Sequence, residues 1–195
     1  MLQKSEIRTL LNVILIDDHP HTIEFYKNSI ISLNPEFGLN FIVAKNCEEA
    51  NNHLLNLKQS SIKVDLAIVD IGLPPFKHIE TGADIAILIK NDFKECKIIV
   101  VTAFTEPLTI YNLLRKTTIE AILCKSDMDN DEFIKVYETV LKGKTYRSRT
   151  ILEKMTTIAK NKFNLDHYDL EILKKLQEGK KTSDLTNYYL KFEYY

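Results

Sequence analysis

The sequence predicts an α/β fold in which a five-stranded parallel sheet carries helices on both faces. Five short runs of consecutive apolar residues, rich in β-branched side chains, recur between more polar stretches. Runs without in-and-out alternation are typical of strands that are buried on both faces. Segments of helical length separate these runs, and strands that alternate with helices favour a parallel sheet. The runs are residues 13–16, 41–44, 66–69, 98–101 and 121–123.

The segments between the runs place apolar side chains three and four positions apart, which is the spacing of one helix face. Pro107 suits the first turn of the fourth helix, and Gly143 is a natural stop after the fifth. The expected faces, in chain order, are Ile23, Tyr26, Ile30 and Leu33; Ala50, Leu54 and Leu57; Ile85, Leu88 and Ile89; Leu108, Tyr111 and Leu114; and Phe133, Val136 and Val140.

The length of 195 residues suggests one domain of about 120–150 residues and an appendage. A composition of 45% hydrophobic and 27% charged residues excludes disordered, collagen-like and low-complexity classes. The net charge of −1 indicates neither nucleic acid nor a membrane as a partner of the whole chain. No apolar run approaches the roughly 20 residues of a membrane span. The three cysteines fit neither a disulfide framework nor a zinc site, so we expect a cytoplasmic protein.

Polar residues follow four of the five predicted strands. Asp17 and Asp18 follow the first strand, Asp70 the third, Thr102 the fourth and Lys125 the fifth. Ligands of parallel sheets bind at the carboxyl ends of the strands, where these side chains converge. Any one of the acids taken alone is equally well explained as a helix cap or turn former. Their joint occurrence at equivalent strand ends favours a functional site.

Three carboxylates crowded together need a counter-charge, and Mg²⁺ is the hard cation that prefers carboxylate oxygens. One of them, Asp70, is then placed to attack phosphorus and form an aspartyl phosphate. In such a transfer, the ammonium of Lys125 supplies a positive charge to one phosphoryl oxygen and the hydroxyl of Thr102 a hydrogen bond to another.

Four segments with these residues resemble the receiver domain of two-component response regulators, over about residues 10–143. They are VILIDDHP (13–20), LAIVDIGLPP (66–75), IIVVTAF (98–104) and AILCKSD (121–127). The resemblance implies a flavodoxin-like sheet of order 2-1-3-4-5. It implies Asp70 as the phosphoacceptor for a cognate sensor histidine kinase, and Thr102 and Lys125 as phosphate contacts. It further implies that Mg²⁺ is bound by Asp17, Asp18, Asp70 and the backbone carbonyl of Gly72.

This chain differs from the usual receiver pattern at two places. Receivers usually carry Tyr or Phe three residues before the lysine, and this chain has Ile122 there, so the usual aromatic rotation cannot operate. Pro74 and Gly82 are eight residues apart, about four more than in the commonest receivers. The insert either shapes the choice of kinase or is a tolerated surface loop.

The C-terminal part is predicted to contain a basic linker or helix over residues 144–162 and a partial helix-turn-helix over residues 163–195. Residues 142–162 hold seven basic residues and one acid, a charge run that is also typical of a solvated helix face. The last segment resembles the LuxR/NarL-type DNA-binding module, although Asp166 and Tyr168 replace its customary Thr and Arg. The recognition helix would lie beyond Tyr195, so the module is either truncated, which we favour, or degenerate. The residues shared with that module are Leu165, Glu171, Ile172, Leu173 and Gly179.

The resulting hypothesis is a transcription-regulating response regulator that binds DNA through its complete C-terminal module and forms a phosphorylation-linked homodimer. It is not an enzyme, beyond limited self-catalysed phosphoryl transfer and autodephosphorylation. One alternative is a receiver whose tail binds a protein or dimerises instead of binding DNA. The other is a haloacid-dehalogenase-like phosphatase, whose nucleophile is the first Asp of a D-x-D motif after the first strand. Here the two acids are adjacent and the third follows the third strand.

Overall fold

A computed structural model of the chain describes residues 10–103 and 107–162. The predicted helix-turn-helix of residues 163–195 lies outside the described residues. The strands are β1 (Leu10–Ile16), β2 (Gly38–Ala44), β3 (Leu66–Asp70), β4 (Lys97–Thr102), β5 (Ala121–Cys124) and β6 (Tyr146–Arg147). The helices are α1 (Pro20–Leu33), α2 (Cys47–Gln59), α3 (Gly82–Asp92), α4 (Pro107–Lys116), α5 (Asn130–Leu141) and α6 (Arg149–Lys162). A short 3₁₀ turn, Lys125–Asp127, follows β5.

The α/β prediction is confirmed, with one correction to the number of strands. The strand order is β2-β1-β3-β4-β5-β6, so the sheet has six strands instead of the predicted five. The additional strand, β6, pairs in parallel with β5, and Ile122 lies opposite Arg147. Two residues carry no readable apolar pattern, and Tyr146 and Arg147 stand in a basic segment, which is why the sequence did not indicate this strand.

The chain divides into two compact units, up to Cys96 and from Lys97 onward. In the first unit, β1 pairs in parallel with both β2 and β3. Consecutive residues 13–16 of β1 are all buried. Because neighbouring side chains of a strand point to opposite faces, both faces of β1 are covered. Helices α2 and α3 pack against each other, and α1 contacts β1 and β2.

Two helices of the first unit begin at side-chain caps that the sequence supplies. The side chain of Asn46 accepts a hydrogen bond from the backbone N–H of Glu49 and caps α2. Thr81 and Asp84 form a reciprocal capping box at the start of α3. These caps satisfy backbone N–H groups that have no partner within the first helical turn. They fix where each helix leaves the loop that follows the preceding strand.

The second unit is built on the parallel pair β4–β5. Helix α5 contacts β4 and β6, and α6 contacts β5 and α4. The predicted apolar face of α4 is wrong. Ile110 and Leu113 are the buried residues, whereas Tyr111 is 39% exposed. The α4 sequence contains two apolar stripes of the same period, and spacing alone does not select between them.

The insert between Pro74 and Gly82 contains a tight turn closed by two backbone hydrogen bonds between Phe76 and Ile79, of 2.8 and 2.9 Å. Ile79 is buried, and Lys77 adopts a positive φ of 53° at the tip. The insert therefore has its own apolar anchor. Among the described residues, no helix is long and apolar enough to cross a membrane.

Candidate functional site

The predicted acids of the first unit converge where β1 and β3 end. Asp70 is the last residue of β3, and Asp17 directly follows β1, where its N–H extends the pairing with β2 by donating to Ala44 O at 3.1 Å. Asp17 is fully buried and Asp70 is 4% exposed, while the side chain of Asp18 is 38% exposed. Two buried carboxylates and one open to solvent thus share one edge of the sheet.

Hydrogen bonds from the following loops hold the two buried carboxylates. The Oδ1 atom of Asp17 accepts from the backbone N–H of His19 at 2.9 Å, and Oδ1 of Asp70 accepts from the backbone N–H of Gly72 at 2.9 Å. Both are the local turns that Asp forms with the backbone two residues ahead. Gly72 therefore lies beside the predicted phosphoacceptor, and the role of its carbonyl as a metal ligand stays a prediction.

His19 joins this cluster, although the sequence pattern did not indicate a role for it. Its Nδ1 atom lies 2.6 Å from Oδ1 of Asp18 and 3.2 Å from Oδ1 of Asp17. One ligand atom from each of Asp17, Asp18, His19 and Asp70 can be chosen so that all four lie within 4.8 Å of one another. The only signal in the sequence was that His19 directly follows the acid pair on the same turn.

The composition of this cluster suits a hard divalent cation. Carboxylate oxygens are the ligands that Mg²⁺ prefers, and one or two of them with water are enough to hold it. Three converging carboxylates also repel one another unless a positive charge is shared between them. The side chains of Asp17, Asp18 and Asp70 are therefore compatible with the predicted Mg²⁺.

Tyr26 of α1 is a further residue near the buried acids. Burial, together with the negative charges of Asp17 and Asp70, raises the pKa of its hydroxyl well above the usual value. The hydroxyl therefore stays protonated and adds no negative charge beside the carboxylates. The sequence assigned Tyr26 to the apolar face of its helix, and its place near the cluster follows from the packing of α1 on β1 and β2.

The start of α3 also approaches Asp70. The backbone N–H of Gly82 donates to the carbonyl oxygen of Ile71, the next residue after Asp70, at 3.1 Å. The loop that leaves β3 therefore returns to its own beginning before α3 starts. This closure places the first turn of α3 next to the end of β3, where the predicted phosphoacceptor lies.

Thr102 and Lys125 belong to the second unit. Thr102 is buried at the end of β4 and lies in register with Cys124 at the end of β5. Lys125 follows directly and is half-buried as the first residue of the 3₁₀ turn. The structure thus places both at the carboxyl ends of neighbouring strands. Ile122, in the place of the usual aromatic residue, is fully buried.

No family model and no curated protein matches the chain. Among solved structures, the isolated REC domain of RcsB from Salmonella enterica serovar Typhimurium, in the presence of phosphomimetic BeF3-, is 22% identical with a TM-score of 0.60. This match covers 75% of the present chain and 99% of that one.

Two further structures extend the likeness. A structure of two RcsB dimers bound to two parallel DNAs is 22% identical with a TM-score of 0.63, over 93% of this chain and 83% of that one. A LuxR-family two-component response regulator from Aurantimonas sp. SI85-9A1 is 18% identical with a TM-score of 0.61, over 78% and 100% of the two chains. These likenesses establish the flavodoxin-like receiver fold.

Proposed function

We propose that the chain is a response regulator with its receiver domain over about residues 10–143, and that Asp70 accepts a phosphoryl group from a sensor histidine kinase. The observation that supports this proposal most strongly is the cluster of Asp17, Asp18 and Asp70 at the ends of β1 and β3. The same acids stand in the motifs that resemble receivers, and the fold is that of receiver domains. A buried carboxylate beside two further acids is the arrangement that metal-assisted phosphoryl transfer to an aspartate requires.

In this proposal Asp70 supplies the nucleophile. One carboxylate oxygen attacks phosphorus, the new O–P bond forms, and the bond from phosphorus to the donor's nitrogen breaks. The donor imidazole leaves with the electron pair of that bond. Hydrolysis of the resulting acyl phosphate later restores the carboxylate and releases inorganic phosphate. In this proposal the chain catalyses only its own phosphorylation and dephosphorylation, and it is not an enzyme for any other substrate.

The other residues of the predicted site hold and neutralise the phosphoryl oxygens. We assign Asp17, Asp18 and the carbonyl of Gly72 to the Mg²⁺ site, together with Asp70. When bound, Mg²⁺ supplies positive charge to the phosphoryl oxygens. Thr102 donates a hydrogen bond and Lys125 a charge-assisted one to the same group, as their positions at the ends of β4 and β5 suggest.

The experiment that tests this function is the intact mass of the chain after incubation with Mg²⁺ and acetyl phosphate. We expect the mass to increase by one phosphoryl group and the increase to be absent from Asp70→Asn. Asp65→Asn is the matched control, since Asp65 lies at the other end of β3 and pairs with Lys63 at 2.7 Å. Failure of the folded chain to gain mass would contradict the proposed function.

For the output, we propose regulation of transcription by a phosphorylation-linked homodimer that binds DNA through its C-terminal module, in the cytoplasm. The support is the resemblance of residues 163–195 to the LuxR/NarL-type module and the likeness to RcsB, whose dimers were solved on DNA. Sedimentation of the phosphorylated chain with and without a labelled DNA duplex tests it. Dimerisation of the phosphorylated chain without DNA binding would favour a protein-interaction tail.

A further inference from the structure

The turn that carries Lys125 is tied to the start of α6. Asp127 is the last residue of this turn, Lys125–Asp127, which we call the Lys125 turn. Its carboxylate accepts two hydrogen bonds from Thr150, one from the backbone N–H at 2.8 Å and one from the hydroxyl at 2.7 Å. The N–H groups of a first helical turn have no partner within the helix, so Asp127 caps α6 from another element.

Ser148 provides a second tie. It is fully buried, and its side-chain oxygen accepts from the backbone N–H of Cys124, the residue before Lys125, at 3.0 Å. Its own N–H donates to the carbonyl of Ile122 at 3.0 Å. Its hydroxyl also hydrogen-bonds the carboxylate of Asp127. A single serine thus contacts the strand before Lys125 and the residue that ends the Lys125 turn.

The far end of β5 is held by Arg147. Its guanidinium donates to the carbonyls of Ile119 and Glu120, each at 3.0 Å. Residues 146–150 therefore lie alongside β5 and hydrogen-bond to the loop before it and to the turn after it. Hydrogen bonds thus connect the segment to both β5 and the Lys125 turn.

The charge state of Asp127 agrees with this arrangement. Burial raises its pKa, the hydrogen bonds from Ser148 and Thr150 lower it more, and the net pKa lies below the usual value. The carboxylate is therefore ionised at neutral pH, which is the form that accepts all three hydrogen bonds.

We propose that Asp127 is a positioning residue that couples Lys125 to the start of α6 through Ser148 and Thr150. The inference rests on the proposed function, in which Lys125 contacts the phosphoryl group on Asp70. A shift of Lys125 toward that group moves Asp127, two residues along the same turn, and changes the cap of α6. By reciprocity, when Asp127 caps α6, the cap holds Lys125 in the position where it contacts the phosphoryl group. The coupling does not require an aromatic residue at position 122.

The test measures amide hydrogen exchange of residues 150–153 in the full chain, with and without Mg²⁺ and beryllium fluoride, an anion that mimics a phosphoryl group. We expect the anion to change this exchange roughly three- to tenfold in the wild type. The response should disappear in Asp127→Ala and in Thr150→Val, which removes the partner hydroxyl. Asp129→Ala is the matched control, because Asp129 caps α5 through the N–H of Glu132 at 2.8 Å.

A second readout separates positioning from a merely structural role. In Asp127→Ala and Thr150→Val, the maximal rate of phosphorylation by acetyl phosphate should fall severalfold, while the half-saturating Mg²⁺ concentration stays unchanged. If the wild type binds the anion and the amide exchange of residues 150–153 does not change, the coupling is overturned. The coupling is also overturned if both variants show the same change in exchange as the wild type. Absence of any phosphorylation of Asp70 would instead contradict the proposed function, and the coupling with it.

Discussion

Gly82 lies against the carbonyl oxygen of Asp70. A Cβ atom built on Gly82 would lie 1.7 Å from that oxygen and 2.8 Å from the carbonyl carbon, far inside contact distance. Only a residue without a side chain allows α3 to begin this close to β3. The position of the predicted phosphoacceptor therefore depends on a glycine twelve residues away in the sequence.

Gly82→Ala should destabilise the chain and impair phosphorylation together. The new methyl group must displace the backbone of Asp70, and overpacking of this kind costs about 1–3 kcal/mol or more. Urea unfolding gives the loss of stability, and intact mass gives the rate of phosphorylation by acetyl phosphate.

Gly143→Ala is the control for Gly82→Ala. Gly143 has a φ of 71°, so alanine there is strained by about 1 kcal/mol, at a position after α5. It should lower stability without changing the phosphorylation rate of the folded fraction. Equal effects of the two substitutions on that rate would contradict the close approach of Gly82 and Asp70.

Asp18→Asn should weaken Mg²⁺ binding by on the order of tenfold or more, with the fold intact. Asp18 is the most exposed of the three acids, so its substitution removes a ligand charge without burying an unpaired group. Calorimetric titration with Mg²⁺ measures the affinity. Asp131→Asn, an exposed acid in the first turn of α5, removes the same charge elsewhere. Full metal-dependent phosphorylation of Asp18→Asn would contradict the assignment of Asp18 to the metal site.

Arg147→Lys should lower the free energy of unfolding by about 1–3 kcal/mol. The planar guanidinium reaches the carbonyls of Ile119 and Glu120 at once, and a lysine ammonium lacks that fork. Burial lowers the pKa of Arg147 to about 10. Arg149→Lys, in an exposed pair with Glu153, should change stability by less than about 0.5 kcal/mol. Equal unfolding midpoints for the two variants would contradict the anchoring role of Arg147.

The contribution of Asp127 to stability should depend on pH. Its folded pKa lies below the ordinary value of 3.8, so its hydrogen bonds stabilise the fold above that value. This contribution is lost as the pH falls through the lowered folded pKa. The difference in unfolding free energy between wild type and Asp127→Asn should therefore shrink from about pH 7 to about pH 3. Asp129→Asn is the control for the loss of one negative charge. A difference in unfolding free energy between wild type and Asp127→Asn that grows toward low pH would contradict the prediction.

Ile122→Tyr tests whether position 122 carries the switch. Ile122 is fully buried and in register with Val100 and Arg147, so the larger ring should cost about 1–3 kcal/mol in urea unfolding. We expect phosphorylation to promote dimerisation equally in Ile122→Tyr and in the wild type, when samples with the same fraction of folded protein are compared. A changed dependence would show that the switch runs through this position. Ile122→Val is the conservative control.

The strands of the core were predictable because their residues are continuous apolar runs, as in β1 and β4. The edge strand β6 was not, since its pairing depends on backbone contacts of Tyr146 and Ser148 with residues near β5. The face of α4 was assigned wrongly because Tyr111 and Ile110 belong to competing stripes. Periodicity identifies a helix, while the tertiary packing selects its buried side.

The acids of the candidate site were predictable from their positions at strand ends, and their roles stay predictions. The contact of His19 with Asp18 was not predictable, because it depends on a turn and a side-chain conformation. The approach of Gly82 to Asp70 depends on the path of the loop between them. Sequence spacing therefore indicates which elements contribute to the site, and the loops determine which further atoms join it.

The pairing of β6 with β5 has a practical consequence for handling this protein. An unpaired strand edge is a template for pairing with a second chain, and β5 is apolar along its whole length. A fragment that ends near residue 143 would leave this edge open and should aggregate during purification. A fragment that extends through α6 keeps the edge covered and is the better choice for crystallisation or spectroscopy.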